Sequence, residues 1–185
     1  MVIIALLSQL LQGDPDLPET AKIVADASTE WCSFTQLPAA ALYDLLRFRQ
    51  AIFVVEQGCP YPDLDGLDEH ASHLLLRCGG ELAGCLRLVP SAAEIRIGRV
   101  AVAAPLRGHG FGRQLMIKAL GFCRERHPTL PIVLTAQHYL LRFYESFGFA
   151  AVSEPFDDFG LTHIVMRNDR RHASSAGKPL EPPTA

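Results

Sequence analysis

Hydrophobic positions along the chain repeat in two ways, at every second residue and at every third or fourth residue. The first spacing is typical of half-buried strands and the second of amphipathic helices. Combined with the glycines and prolines that interrupt them, the two spacings predict the order β, α, β, β, β, α, β, α, β, β and an α/β protein. The predicted bounds are 31–34, 38–53, 72–78, 82–89, 94–102, 110–126, 131–136, 139–146, 149–153 and 162–166.

The two ends of the chain lack this patterning and are predicted to lie outside the domain. Residues 1–30 open on the apolar run 1–7, which has no basic segment before it and is far too short to cross a bilayer, so we predict no signal peptide. Residues 169–185 are rich in Ser, Gly, Pro and basic side chains, a composition typical of disorder. We therefore expect an N-terminal extension over 1–30, one domain over 31–168 and a disordered tail over 169–185.

The composition fits one globular domain and narrows the classes of partner. The 185 residues suffice to bury a core, and a net charge of −3 gives no general attraction to nucleic acid or to anionic membranes, so neither is expected as a partner. Five cysteines, an odd number without a C-x-x-C pair, favour reduced thiols and a cytoplasmic protein. His70 and His73 would lie on opposite faces of a strand, so no metal site is expected.

The predicted strand, turn and helix over residues 94–126 carry the strongest chemical signal. The strand stops before Pro105, glycines allow a tight turn over 107–113, and an amphipathic helix follows. The N–H groups at the start of that helix lack intrahelical partners, and together with the helix dipole they form a site for phosphate. Neither a Walker loop nor a dinucleotide fingerprint fits, because no Lys-Ser/Thr follows Gly112 and the glycines are spaced G-x-G-x-G. An ordinary glycine-rich turn is the alternative.

Four stretches resemble one superfamily. Residues 107–112, Arg-Gly-His-Gly-Phe-Gly, resemble the acyl-CoA loop R/Q-x-x-G-x-G/A of the GNAT acetyltransferases, and they follow a strand ending in Arg-Val-Ala-Val. Residues 143–149 resemble the second GNAT signature, in which an aromatic pair on a short helix precedes a Gly-Phe strand entry. Residues 46–68 and 162–167 resemble the ElaA-type subfamily. The resemblance covers about residues 30–168.

The resemblance implies a V-shaped mixed sheet flanked by helices, with acetyl-CoA bound as cosubstrate in the opening and no metal. The backbone of the central strand would pair with the pantetheine arm like an added strand, and one of its N–H groups would polarise the thioester carbonyl. The amides that follow would hold the pyrophosphate, and two arginines would add charge-assisted bonds to phosphate. The residues implied at this cofactor site are Val100, Ala101, Val102, Arg107, Gly108, His109, Gly110, Phe111, Gly112 and Arg113.

The resemblance also implies direct transfer of an acetyl group to an amine, with two catalytic side chains. Tyr144 occupies the position of the family's general acid, which protonates the departing CoA sulfur. A phenol with a pKa near ~10 suits a thiolate whose thiol has a pKa near ~8.5. Glu56 follows a predicted helix and faces the acceptor side in this fold, which makes it the candidate base. The alternative for Glu56 is an ion pair with Arg47 or Arg49.

The acceptor is expected to be a small-molecule or peptide amine, whose identity the sequence leaves open. Residues 50–76 contain no Lys or Arg, and if they rim the acceptor cleft their field would favour a cationic amine. A solvated acidic loop is the alternative. A homodimer stays open, as do a non-catalytic acyl-CoA-binding or regulatory module and a protein-interaction domain with an empty cleft. The acidic residues of the segment are Glu56, Asp63, Asp65, Asp68 and Glu69.

Overall fold

The computed structural model describes residues 26–170, so the expectations for residues 1–25 and 171–185 lie outside the described residues. The strands are β1 (Ala27–Ser33), β2 (Ser72–Cys78), β3 (Glu81–Pro90), β4 (Ile95–Val102), β5 (Ile132–Gln137), β6 (Ala150–Ala151), β7 (Phe156–Asp158) and β8 (Leu161–Asn168). The helices are α1 (Ala39–Arg49), continued by a π-helical segment (Gln50–Glu56), α2 (Phe111–Arg126) and α3 (Leu141–Glu145). Short 3₁₀ turns lie at Phe34–Gln36, Asp68–His70, Ala104–Leu106 and His138–Leu140.

The strands form one mixed sheet in the order β1-β2-β3-β4-β5-β8-β6, with β7 also paired to β8. Neighbours are antiparallel except β4 and β5, which are parallel. This parallel pairing is short, since it joins only Ile95–Ile97 to Ile132–Leu134. Beyond Ile97 the two strands separate and the sheet splays. The V-shaped mixed sheet implied by the resemblance is confirmed.

Helices cover both faces of the sheet because successive side chains of its strands point to opposite sides. The core on the α2 side includes Leu74, Leu76, Leu115, Met116, Ala119 and Cys123, each at most 5% exposed. The smaller core on the α1 side contains Leu45, Ile52, Leu75, Cys85 and Ala101. Within residues 26–170, no helix has the length and apolar character needed to cross a membrane.

The first strand begins earlier than predicted. β1 starts at Ala27 rather than at residue 31, because it pairs with β2 over its whole length, from Ala27 opposite Cys78 to Ser33 opposite Ser72. The predicted boundary between extension and domain therefore falls inside a strand of the sheet.

Most other predicted elements are confirmed, with two differences that border the site. The strands β2, β3, β4, β5 and β8 and the helix α2 match their predicted bounds to within two residues at each end. The first predicted helix, in contrast, loses α-helical geometry at Arg49 and widens into the π-helical segment Gln50–Glu56, a distortion frequent at functional sites. The strand β7 was not predicted because Phe-Asp-Asp has little β propensity, and it forms because β8 supplies a partner.

Candidate active site

A cleft of about 690 Å³ opens where β4 and β5 separate. Its walls come from β4, the loop between β4 and α2, the region of α3 and the π-helical segment. His109 is not among the lining residues, and its Nδ1 atom lies 3.0 Å from the Arg107 carbonyl oxygen. The other residues implied at the site all line the cleft: Glu56, Val100, Ala101, Val102, Arg107, Gly108, Gly110, Phe111, Gly112, Arg113 and Tyr144.

The second half of β4 is bulged on the β3 side and open on the β5 side. The register between β3 and β4 shifts at Cys85–Arg87, and Arg99 on β4 takes a φ of 53° there. The Cys85 thiol donates to the Arg99 carbonyl oxygen over 3.3 Å and holds the bulge in place. Because β5 pairs with β4 only as far as Ile97, residues 98–102 have no strand partner on the β5 side among the described residues. Such an edge can hydrogen-bond an extended ligand as an added strand.

The loop after β4 leads into a helix start with unpaired backbone N–H groups. Gly108 and Gly110 have φ values of 83° and 84°, in the left-handed region that glycine adopts without strain. Gly110 is the residue before α2, and its carbonyl oxygen accepts the first intrahelical bond, from the Gln114 N–H (3.0 Å). Within residues 26–170, none of the N–H groups from Gly108 to Arg113 donates to a backbone carbonyl. With the helix dipole, these donors form a site suited to a phosphate group.

Arg113 adds a cation at the same helix start. Its guanidinium lies 5.1 Å from the centroid of the Phe147 ring, a cation–π geometry that fixes the side chain. No ion pair in the described part of the chain involves Arg113. Its donors are therefore available to an anion in the cleft.

Tyr144 lines the cleft from α3 and is only 6% exposed. Phe143 and Phe149 contact its ring edge-on, with centroid distances of 5.0 and 6.2 Å. Burial, with a smaller contribution from Tyr139, raises the pKa of Tyr144 to about 12. The phenol therefore keeps its proton at neutral pH, and it is a weaker acid than the sequence suggests.

Glu56 pairs with a different arginine from the two considered above. Its carboxylate lies 2.7 Å (Oε1) and 3.0 Å (Oε2) from the two Nη atoms of Arg107, which is the first residue of the loop before α2. The Arg107 Nε also donates to the Val102 carbonyl oxygen over 2.9 Å. The hydrogen bond from Arg107 lowers the pKa of Glu56. An ion pair with Arg47 or Arg49 is thus wrong for Glu56.

Beside the cleft lies a closed cycle of alternating charges, which we call the ion ring. Each of its carboxylates bridges two guanidinium groups and each guanidinium bridges two carboxylates. The N–O distances in ring order are 3.0, 2.6, 3.1, 2.6, 3.0 and 2.6 Å. The ring ties α1, β3 and the β4 bulge to the loop before β2. Its members, in order, are Arg49, Asp63, Arg99, Asp65, Arg87 and Asp68.

The ion ring neutralises the aspartates expected to give the acceptor side a negative field. Its three aspartates, which are three of the five acidic residues in segment 50–76, are neutralised by three arginines from outside the loop, and Glu56 is neutralised by Arg107. Asp63 and Asp68 are buried, whereas Glu56, Asp65 and Glu69 are exposed, so the segment is only partly solvated. Although burial opposes it, hydrogen bonding from Arg87 helps to lower the pKa values of Asp65 and Asp68.

The far end of the cleft contains aromatic side chains that the sequence analysis did not single out. The Tyr61 and Phe159 rings lie 5.9 Å apart, so the loop before β2 meets the tip of the β7–β8 hairpin. The Arg99 guanidinium lies 5.2 Å from the centroid of the Tyr61 ring. Only contacts between distant segments reveal this group, although the Tyr-Pro-Asp sequence at 61–63 marks the loop.

The two histidines lie in different elements. His70 belongs to a 3₁₀ turn before β2, so its predicted place in a strand is wrong. His73 is 2% exposed in β2, with Nε2 3.2 Å from the Asp68 carbonyl oxygen, and burial lowers its pKa. Within residues 26–170, no group of His, Cys, Asp or Glu side chains has an arrangement that could hold a metal ion.

Comparison with known proteins identifies the family of this chain. Residues 54–170 match the family described as "Acetyltransferase (GNAT) domain". The chain belongs to the GNAT acetyltransferase family. It is 41% identical over 140 residues to the protein ElaA of Escherichia coli K12, an alignment that covers 73% of this chain and 92% of ElaA. The resemblance to the ElaA type is confirmed.

Solved GNAT structures support the same assignment. The crystal structure of E. coli ElaA superposes with a TM-score of 0.74 at 39% identity, covering 77% of this chain and 99% of ElaA. An acyl-CoA N-acyltransferase from Pseudomonas aeruginosa gives a TM-score of 0.74 at 36% identity, with coverage of 77% and 99%. A GNAT acetyltransferase from Elizabethkingia anophelis, solved with acetyl-CoA bound, shares the fold with a TM-score of 0.57 at 17% identity, with coverage of 78% and 98%.

The GNAT fold therefore brings three chemically distinct parts to one cleft in this chain. The open edge of β4 offers backbone donors and acceptors, and the start of α2 offers unpaired N–H groups. The region of α3 adds a buried phenol at Tyr144. A strand edge, an anion-binding helix start and a phenol along one cleft can bind a phosphate-bearing thioester and assist its cleavage.

Proposed function

We propose that this protein is an N-acetyltransferase that moves the acetyl group of acetyl-CoA directly to a primary amine. One observation carries the proposal: the open edge of β4, the unpaired amides of residues 108 and 110–113 and Tyr144 all line the same cleft. Two relatives support it, since the P. aeruginosa protein is named an acyl-CoA N-acyltransferase and the E. anophelis GNAT protein holds acetyl-CoA.

The residues present fit acetyl-CoA. The N–H groups from Gly108 to Arg113 would hold the pyrophosphate, and the Arg113 guanidinium would pair with a phosphate. The backbone of residues 100–102 would pair with the pantetheine arm. Bound acetyl-CoA supplies the thioester, whose acyl carbon takes up the amine and whose sulfur departs.

The open edge of β4 would stabilise the negative charge that develops on the thioester oxygen. Once β5 has left β4, an N–H of residues 100–102 is free to donate to the thioester oxygen as negative charge develops on it. The bulge is held by the Cys85–Arg99 bond and by the ion ring, so this donor is in place before the substrate arrives. Preorganised donors of this kind need little rearrangement during the reaction.

Tyr144 would act on the leaving sulfur. Because burial raises its pKa to about 12, the phenol keeps its proton at neutral pH and can direct it to sulfur as the carbon–sulfur bond breaks and charge accumulates there. A CoA thiolate, whose thiol has a pKa near ~8.5, is a weaker base than a tyrosinate, so Tyr144 would act mainly as a hydrogen-bond donor to sulfur, and solvent would restore any proton that it transfers. Packing between Phe143 and Phe149 fixes the ring for this transfer.

Glu56 would remove a proton from the ammonium form of the acceptor, because only the neutral amine can attack. It lines the cleft at the end of the π-helical segment. The acceptor would be a small-molecule or peptide amine. Since the ion ring and the Arg107–Glu56 pair each contain equal numbers of positive and negative charges, they give no electrostatic preference for a polycationic acceptor.

Thiol release from acetyl-CoA tests the proposal. A panel of polyamines, aminoglycosides, amino acids and peptide N-termini should include an amine that accelerates release, with formation of its acetylamide. Tyr144→Phe should lower kcat by about 10²-fold, the lower end of the range for a general acid. Tyr43→Phe is the matched control, because Tyr43 is 68% exposed and does not line the cleft, and its rate should equal the parent's.

Three results would count against this proposal. A Tyr144→Phe protein with the parent's kcat removes Tyr144 from the chemistry. Binding of CoA in calorimetry without thiol release for any amine would favour the non-catalytic acyl-CoA-binding module. No binding at millimolar CoA would exclude both.

A further inference from the structure

The Arg107–Glu56 pair spans the cleft at the predicted phosphate site. Glu56 is the last residue of the π-helical segment, and Arg107 opens the loop whose amides bind phosphate in the proposal above. Both side chains line the cleft and are partly exposed, at 41% and 45%. The contact is a two-point fork of 2.7 and 3.0 Å, in which each carboxylate oxygen receives one N–H.

The pair engages two groups that the proposed reaction needs, the Glu56 carboxylate and the Val102 carbonyl oxygen. A carboxylate held by two N–H groups is stabilised in its charged form and takes up a proton less readily. The same guanidinium covers the Val102 carbonyl oxygen through Nε (2.9 Å), at the end of the β4 edge that the pantetheine arm would use. As long as Arg107 stays in this position, both the base and the end of the strand edge are blocked.

We propose that Arg107 is a positioning residue that blocks Glu56 until a phosphate of bound acyl-CoA takes over its guanidinium. This inference rests on the proposed function, since it requires phosphate at residues 108–113. A phosphate offers the planar fork a more highly charged partner than a carboxylate does. Exposed ion pairs contribute little net stability, so the exchange of one anion for the other is readily reversible. Release of Arg107 would also free the Val102 carbonyl.

The surroundings of Glu56 allow this exchange to control its basicity. Arg107 is the cationic group at Glu56 in the described part of the chain, and the Tyr139 phenol, which also lines the cleft, is the other titratable group that interacts with Arg107. The neighbouring Gln57 is held separately, by a 3.1 Å bond from the Gln137 amide. Loss of Arg107 therefore leaves the backbone at Glu56 anchored and its carboxylate free.

Carboxyl-carbon NMR of the full chain labelled at glutamate tests this inference without a known acceptor. Glu56→Gln identifies the Glu56 resonance, which is then titrated with and without saturating CoA. We expect its pKa to lie below the ordinary value of ~4.3 in the free protein and to rise by about half a unit or more with CoA.

Arg107→Gln is the decisive variant, because the family pattern R/Q-x-x-G-x-G/A accepts Gln at this position. Its Glu56 pKa should be ordinary without CoA and should rise less with CoA than in the parent, since only direct repulsion by the phosphates remains. Arg107→Lys serves as a second variant, and we expect its Glu56 pKa to lie between those of the other two, because one ammonium replaces the fork.

The amides of residues 108–113 separate failure of this inference from failure of the proposed function. If CoA shifts those amide resonances while the Glu56 pKa stays constant, or rises equally in Arg107→Gln, the inference is wrong and the cofactor site stands. If CoA shifts none of them and calorimetry shows no heat, the proposed function fails and the inference fails with it.

Discussion

Two systems of arginine–carboxylate pairs border the same cleft, and they differ mainly in burial. Four of the six members of the ion ring are buried, with Arg49 at 1% exposure, whereas both side chains of the Arg107–Glu56 pair are more than 40% exposed. The chemistry and the distances are nearly the same. A buried pair cannot exchange its partner without leaving an unpaired charge in a poor solvent, while an exposed pair can exchange with water or with another anion.

The difference assigns opposite tasks to the two systems. The ion ring shares each charge between two partners, so no single contact can open alone. It holds the loop before β2 against the bulge of β4, which is a fixed part of the proposed site. The Arg107–Glu56 pair has one partner on each side and joins parts that must respond to a ligand. Buried charges therefore maintain the permanent geometry of the site, and exposed charges form its reversible contacts.

The largest expected effect follows from opening the ion ring. Asp68→Asn should lower the free energy of unfolding by about 3 to 5 kcal/mol, because Arg49 and Arg87 each lose a charged partner in a buried site. Urea unfolding followed by circular dichroism measures the change.

Asp44→Asn is the control for this substitution. Its carboxylate pairs with Arg47 at 3.2 Å on the exposed face of α1, and its loss should cost less than about 0.5 kcal/mol. Equal losses in the two variants would show that burial does not distinguish the two kinds of pair.

The contrast between the two systems also explains what the sequence predicted and what it missed. Local patterns predict most of the fold, because each periodic run and each turn lies within a short stretch of the chain. The loop at 107–113 is predicted for the same reason, since its glycines lie close together in the sequence. Partners in the ion ring are 14 to 36 residues apart, so no local spacing reveals them. The sequence suggests Arg47 or Arg49 as the partner of Glu56 because both are close to it in the chain, whereas the actual partner, Arg107, lies 51 residues away.

Acidification provides the second test, because it protonates Asp65 and Asp68 of the ion ring together instead of removing a single contact. The pKa values of Asp65 and Asp68 are lowered in the folded protein, so their stabilisation is present above the unfolded value of ~3.9 and is lost as the pH falls through the folded value. His73 beside the ring also has a lowered pKa, so stability declines as the pH falls below about 6.5, where the unfolded chain takes up that proton first.

The free energy of unfolding should therefore decrease on acidification in two stages. Each proton taken up preferentially by the unfolded chain gives a slope of up to about 1.4 kcal/mol per pH unit. Denaturant midpoints measured from pH 8 to pH 3 give this curve, and His73→Gln should flatten its upper stage only. A parent curve that is flat between pH 7 and pH 5 would contradict the assignment of His73.

The exposed Arg107–Glu56 pair should contribute little to stability, and this small contribution allows Arg107 to exchange its partner. Glu56→Gln should change the free energy of unfolding by less than about 1 kcal/mol, and 1 M KCl should reduce that difference, because salt screens exposed charges far more than buried ones. The deficit of Asp68→Asn should persist in the same salt, since Asp68 and its partners Arg49 and Arg87 are buried. A Glu56 pair that stabilised the fold as strongly as the ring would not give up its arginine to a phosphate.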